Sequence, residues 1–182
     1  LNKYKKCGST TLDGIEVKVY ANIISESEVA ALIENGGEGV GLFRTEFLYM
    51  AGKNLPSEEL QCNVYSNIAR MLNGRPLIIR TLDAGGDKNI PCLGIPKEDN
   101  PFLGYRAIRF CLDNPDIFKT QISAILRAGV YGNVACMIPM IASIDEIRRT
   151  RIMVEEVRKE IAEKGIPYAN GIRLGMMVET PA

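Results

Sequence analysis

The chain has 182 residues, 46% hydrophobic and 24% charged, with 22 basic side chains against 22 acidic ones and no histidine. That length supports one domain with a real core. The zero net charge leaves no electrostatic footprint for nucleic acid, and no apolar run approaches the roughly 20 residues that span a bilayer, so neither nucleic acid nor a membrane is an expected partner.

Along the chain, residues 1–14 are polar and read as a linker, while residues 15–20 alternate apolar and polar and predict a first strand. Ser25-Glu26-Ser27-Glu28 forms a capping-box pattern ahead of a short helix carrying Val29, Ala30, Leu32 and Ile33, closed by Gly36-Gly37. The apolar run from Val40 to Phe43 predicts the second strand. Residues 48–56 read as a loop, and Ser57 opens an amphipathic helix to about Leu72, stopped by Asn73-Gly74. Residues 76–81 predict the third strand.

The stretch 82–100 is rich in Gly, Pro and Asp and reads as a long loop, of the kind that more often carries function than not. Asn100-Pro101 and Asn114-Pro115 each place a capping side chain before a first-turn proline, predicting helices that end near Leu112 and Ala128. Residues 134–141 predict a fourth strand. Ser143-Ile144-Asp145-Glu146 opens a helix with Ile147, Val154, Val157 and Ile161 on one face, and residues 171–178 a fifth strand.

Strands that alternate with helices predict an α/β fold with a parallel sheet. A complete doubly wound sheet is one solution. The preferred one is a (β/α)8 barrel of the TIM type, truncated after about five strands, because such a barrel needs roughly 250 residues and the last strand has no covering helix behind it. The first residue is Leu, no secretory h-region follows it, and the chain reads as a piece of a longer cytoplasmic protein. Cys7, Cys62, Cys92, Cys111 and Cys136 lie scattered with no C-x-x-C pair, as expected of reduced and mostly buried thiols.

Three apolar runs end abruptly in a charge: Arg44 after Phe43, Arg80 after Ile79, and Glu179 after Val178. A buried strand that delivers a charge at its end needs a partner or a ligand there. Arginine offers a fixed fork of donors for phosphate or carboxylate oxygens, and a carboxylate can ligate Mg²⁺. Arg44 and Arg80 can equally form salt bridges to Glu46 or Asp83, and Glu179 can equally be a counter-ion for either arginine. Asp83-Ala84-Gly85-Gly86-Asp87-Lys88 adds glycines that permit close backbone approach to an anion, though it is neither a Walker A nor a dinucleotide fingerprint. Arg106 falls in the first turns of the helix after the long loop, either as a solvated side chain or as a third phosphate contact.

Four segments carry a resemblance: 41–50 (GLFRTEFLYM), 80–88 (RTLDAGGDK), 100–106 (NPFLGYR) and 175–182 (GMMVETPA). In this order they resemble the enzyme I family of the bacterial sugar phosphotransferase system, the phosphoenolpyruvate–protein phosphotransferases, over residues 15–182. The resemblance implies the first part of a phosphoenolpyruvate-binding barrel domain that dimerises. It implies that Arg44 and Arg80 hold the phosphate with Arg106 close by, and that Glu179 is one Mg²⁺ ligand. It further implies that the phosphoryl-accepting histidine lies in a separate preceding domain, with transfer onward to the phosphocarrier protein HPr in sugar uptake. A second metal-binding Asp, a further phosphate-binding Arg and a proton-donating Cys would follow later in the barrel. The chain alone is thus expected to be inactive. A fragment of a pyruvate phosphate dikinase or phosphoenolpyruvate synthase, or a binding and dimerisation module without turnover, are the alternatives.

Overall fold

The computed structural model describes residues 5, 7–88 and 90–181. Residues 1–4 and 6 of the expected linker, Asn89 of the long loop and Ala182 of the last motif lie outside the described residues. Five strands form one parallel sheet in the order β1 (Ala21–Ile23), β2 (Val40–Arg44), β3 (Leu77–Arg80), β4 (Val134–Ile138), β5 (Arg173–Met176). Each strand pairs with the next in sequence and the order never reverses. The helices between them are α1 (Glu28–Glu34), α2 (Glu46–Met50), α3 (Glu58–Leu72), α4 (Ala107–Asp113), α5 (Pro115–Ala128) and α6 (Ile144–Glu163).

The first strand lies later than its alternating pattern suggests. Ile15, Val17 and Val19 stay 59%, 47% and 50% exposed, and residues 15–20 carry only an isolated bridge from Glu16 to Thr10. Alternation makes a strand only where one face meets a core, and pairing with β2 starts at Ala21 opposite Val40. The predicted loop over 48–56 is helical at its start, because α2 covers Glu46–Met50 and buries Tyr49. No capping signal announces α2, since the Thr45 hydroxyl donates to the Arg80 carbonyl at 2.9 Å and leaves the helix end uncapped.

The local signals hold in full at α3 and α6 and in part at α1 and α5, where the Ser27 and Asn114 side chains make no cap hydrogen bond. Ser57 Oγ accepts from the Leu60 N–H, Asn73 closes α3 in the left-handed conformation, and Ser143 with Glu146 makes the full capping box of α6. The core lies between sheet and helices. Phe43 of β2 meets Tyr65 of α3 edge-on, with ring centroids 5.9 Å apart, and α5 buries Phe118, Ile122 and Ile125. All four β5 residues are exposed, so the last strand is paired with β4 on one side and its faces stay open.

A candidate anion-binding site at the strand ends

Arg44 and Arg80 are the last residues of adjacent parallel strands and stand opposite each other in register. Parallel strands lie about 4.8 Å apart, so two like charges placed there repel unless something compensates. Glu46, 1% exposed at the start of α2, supplies the compensation. Its Oε1 accepts from Arg80 Nη2 at 2.9 Å and from the Asp83 backbone N–H at 3.1 Å. Its Oε2 sits 3.7 Å from Arg44 Nε.

The lattice continues through the loop after β3. Asp83 Oδ2 lies 3.0 Å from Arg80 Nη1, while Asp83 Oδ1 accepts from Arg106 Nη2 at 2.7 Å and Nε at 3.1 Å. Arg106 Nη1 also donates to Asp87 at 3.3 Å. The Lys88 ammonium donates to the Asp83 carbonyl at 2.6 Å, and burial pulls its pKa below the usual lysine range. Four cations (Arg44, Arg80, Arg106, Lys88) face three carboxylates (Glu46, Asp83, Asp87), which leaves one positive charge in excess. An excess of positive charge suits an anion rather than a cation, and most of the guanidiniums are held in fixed orientations.

Of the roles left open for the arginines, the ion pairs to Glu46 and Asp83 are present. Arg80 and Arg106, at 9% and 8% side-chain exposure, are paired and buried, whereas Arg44 keeps 40% of its side chain in solvent beside the Phe47 ring. The placement of Arg106 in first helical turns is corrected: α4 begins only at Ala107, and Arg106 is its extended N-cap. Residues 101–105 form turns, with the Tyr105 N–H held by Glu98 at 2.8 Å, and Ala107 takes a left-handed φ of 50°. The two carboxylates that grip Arg106 outweigh the Asn-Pro start signal. Gly85 and Gly86 are needed for packing: a Cβ on Gly85 would lie 2.7 Å from Arg106 Cβ, and one on Gly86 2.7 Å from the Pro96 carbonyl.

Beneath the arginines runs a buried polar network that no motif announces. Gln121 of α5 accepts from the Leu82 N–H at 2.8 Å and donates to Thr45 Oγ1 at 3.1 Å and Tyr65 OH at 3.3 Å. One amide thus ties the end of β2 to the chain just past β3, across separations of 76 and 39 residues. No local pattern could have singled it out.

Glu179 stands apart from this cluster. Just past β5, its Oε1 accepts from the Met140 N–H at 2.8 Å beyond β4, and the Thr180 hydroxyl donates to the Ile141 carbonyl at 3.0 Å. Among the described residues it pairs with neither arginine, whose partners are Glu46 and Asp83. No group of three Asp, Glu, Cys or His side chains among the described residues could hold a metal. Glu179 fits Mg²⁺ as one hard oxygen donor, with Oε2 outside the Met140 bond, and Mg²⁺ takes only one or two carboxylates beside substrate oxygens and water.

Residues 1–182 match the family model described as PEP-utilising enzyme, PEP-binding domain. Three curated relatives, each named phosphoenolpyruvate-protein phosphotransferase, are similar over nearly the whole chain. The protein of Bacillus sp. (strain S) is 49% identical over 174 residues, 96% of this chain and 30% of the relative. That of Staphylococcus carnosus (strain TM300) is 47% identical over 182 residues, all of this chain and 32% of the relative. That of Bacillus subtilis (strain 168) is 46% identical over 170 residues, 93% and 30% respectively. The chain spans about a third of the length of the curated relatives it matches.

Proposed function

The chain belongs to the PEP-binding domain family of PEP-utilising enzymes, and from that premise we propose that it is the phosphoenolpyruvate-binding portion of a phosphoenolpyruvate–protein phosphotransferase. The observation that carries the proposal is the pair Arg44 and Arg80, side by side at the C-terminal ends of adjacent parallel strands. The residues after strands are where a (β/α)8 barrel builds its site. We read the sheet as the first five strands of such a barrel, and its uninterrupted strand order supports this over a doubly wound sheet. Residues 1–14 are then the linker from a preceding domain that bears the phosphoryl-accepting histidine.

In this reading Arg80 and Arg106, fixed by Glu46, Asp83 and Asp87, orient the phosphate, and exposed Arg44 closes on it. Loose phosphoryl-transfer transition states spread charge over the equatorial oxygens, so guanidiniums held in advance lower the barrier by positioning and neutralisation. Glu179 would hold Mg²⁺ with a second donor from outside this chain, and that ion would neutralise substrate phosphate and carboxylate oxygens. The full-length protein would act in the cytoplasm as a homodimer, passing the phosphoryl group to HPr for sugar uptake. The names of the relatives favour this reading over a dikinase or phosphoenolpyruvate synthase. In the full-length protein, Arg80→Ala should abolish phosphoenolpyruvate-dependent self-phosphorylation, scored with radiolabelled substrate. Labelling at the wild-type rate would sink the assignment.

A further inference from the structure

Glu46 is among the most buried charged residues of the chain, and its two oxygens are used unequally. Oε1 takes two hydrogen bonds, from Arg80 and from the Asp83 N–H. Oε2 is buried and has no hydrogen-bond partner among the described residues. A buried carboxylate oxygen without a donor is costly. The cation paired with it is Arg44, whose Nε stops at 3.7 Å, beyond the 2.7–3.2 Å of an N–H···O hydrogen bond. The Arg44 guanidinium is also the most exposed of the three site arginines and has a second resting contact, the Phe47 ring at 5.5 Å.

We infer that Glu46 is a positioning residue of the phosphate site, fixing Arg80 through Oε1 and offering Oε2 as a dock from which Arg44 is withdrawn when an anion binds. The inference rests on the reading of Arg44 and Arg80 as phosphate-binding residues. Arg80 has a second anchor in Asp83 and stays in place, whereas Arg44, held by the loose contact to Oε2 and by the Phe47 ring, can exchange a carboxylate oxygen for a phosphate oxygen. Glu46 thus both presets the site and competes with its ligand. The separation and exposure put the competition in the range of a weak ion pair.

A double-mutant cycle in the full-length protein tests this. The probe is 2-phospholactate with Mg²⁺, which keeps phosphate and carboxylate but lacks the enol that drives transfer, and its dissociation constant is read by calorimetry. In Glu46→Gln, the new Oε1 can still accept from Arg80 and Asp83, while the new amide N–H₂ faces Arg44 and abolishes the dock. Binding should tighten about two- to five-fold, the span of a partly exposed ion pair. In an Arg44→Ala background the same change should have almost no effect. An equal tightening in both backgrounds would mean simple removal of a negative charge, and weaker binding in the single variant would mean that Glu46 presets Arg80 without competing for Arg44. Either result overturns the dock. Arg44→Ala binding the analogue as well as wild type, or no binding by wild type, would instead overturn the phosphate-site reading. Should Glu46→Gln not fold, as judged by its melting temperature, the Arg44 Nε–H resonance of the wild-type protein decides. It is identified by its loss in Arg44→Ala and should shift on titration with the analogue, and a resonance that stays fixed at saturation refutes the exchange.

Discussion

Replacing Gln121 with Leu isolates the network under the arginines. Gln121 is 1% exposed, and leucine nearly matches its volume, so cavity effects are small. The consequences for its three partners differ. Thr45 Oγ1 keeps its bond to the Arg80 carbonyl and Tyr65 OH keeps its bond to Gln61 Oε1 at 3.1 Å, so neither is stranded. The Leu82 N–H loses the acceptor recorded for it and sits in a residue 1% exposed. One orphaned buried donor costs about 1–3 kcal/mol, partly offset by the added apolar surface of leucine. A net loss of about 2 kcal/mol corresponds to a fall of about 4–8 °C in Tm for a chain of this size. Urea unfolding followed by circular dichroism measures it, with the slope against urea unchanged. A loss under about 0.5 kcal/mol would refute the account, since the amide would then hold nothing that the backbone needs.

Burial raises the Cys136 thiol to about 12 and pushes Cys111 higher still, so neither forms a thiolate at pH 8. Both should resist iodoacetamide in the native chain and react once urea unfolds it, as peptide mass spectrometry would record; native alkylation of either would contradict their burial. Burial likewise holds Tyr49 and Tyr65 neutral well above the ordinary phenol value of 10.0. Their folded values exceed their unfolded ones, so their contribution is complete below pH 10 and is lost as pH rises beyond it. The loss is at most about 1.4 kcal/mol per pH unit for each tyrosine. Urea midpoints should therefore fall between pH 10 and 11.5, and a flat profile would show that these phenols ionise freely.

Much of this architecture was readable from neighbouring residues alone. Ser57 and Ser143 announce α3 and α6 because a cap bonds within three residues of itself, and Asn73 marks the end of α3 for the same reason. Strands β2 and β3 were visible as apolar runs, and their terminal arginines were visible as charges that a core would not accept unaided. Where the outcome depended on distant partners, local signals misled. The Asn100-Pro101 start signal lost to the grip of Asp83 and Asp87 on Arg106, 23 and 19 residues away. The alternation over residues 15–20 found no core to face.

The sequence by itself determined that this is an α/β chain with arginines at the ends of two strands, since hydrophobic period, caps and turn residues act over a few positions. Only the tertiary structure decided what those arginines touch. That Arg44 and Arg80 stand in register, that Glu46 serves Arg80, and that Gln121 ties the two strand ends together are consequences of chain closure over 34 to 76 residues, whereas the loose contact between Arg44 and Glu46 is local. The ion pairs to Glu46 and Asp83 stood among the sequence alternatives, while the register of the arginines and the reach of Gln121 follow from how layers pack and which buried groups must be satisfied. Glu179 shows the same division: its place three residues past β5 is local, while its bond to the Met140 N–H exists because β4 and β5 lie side by side.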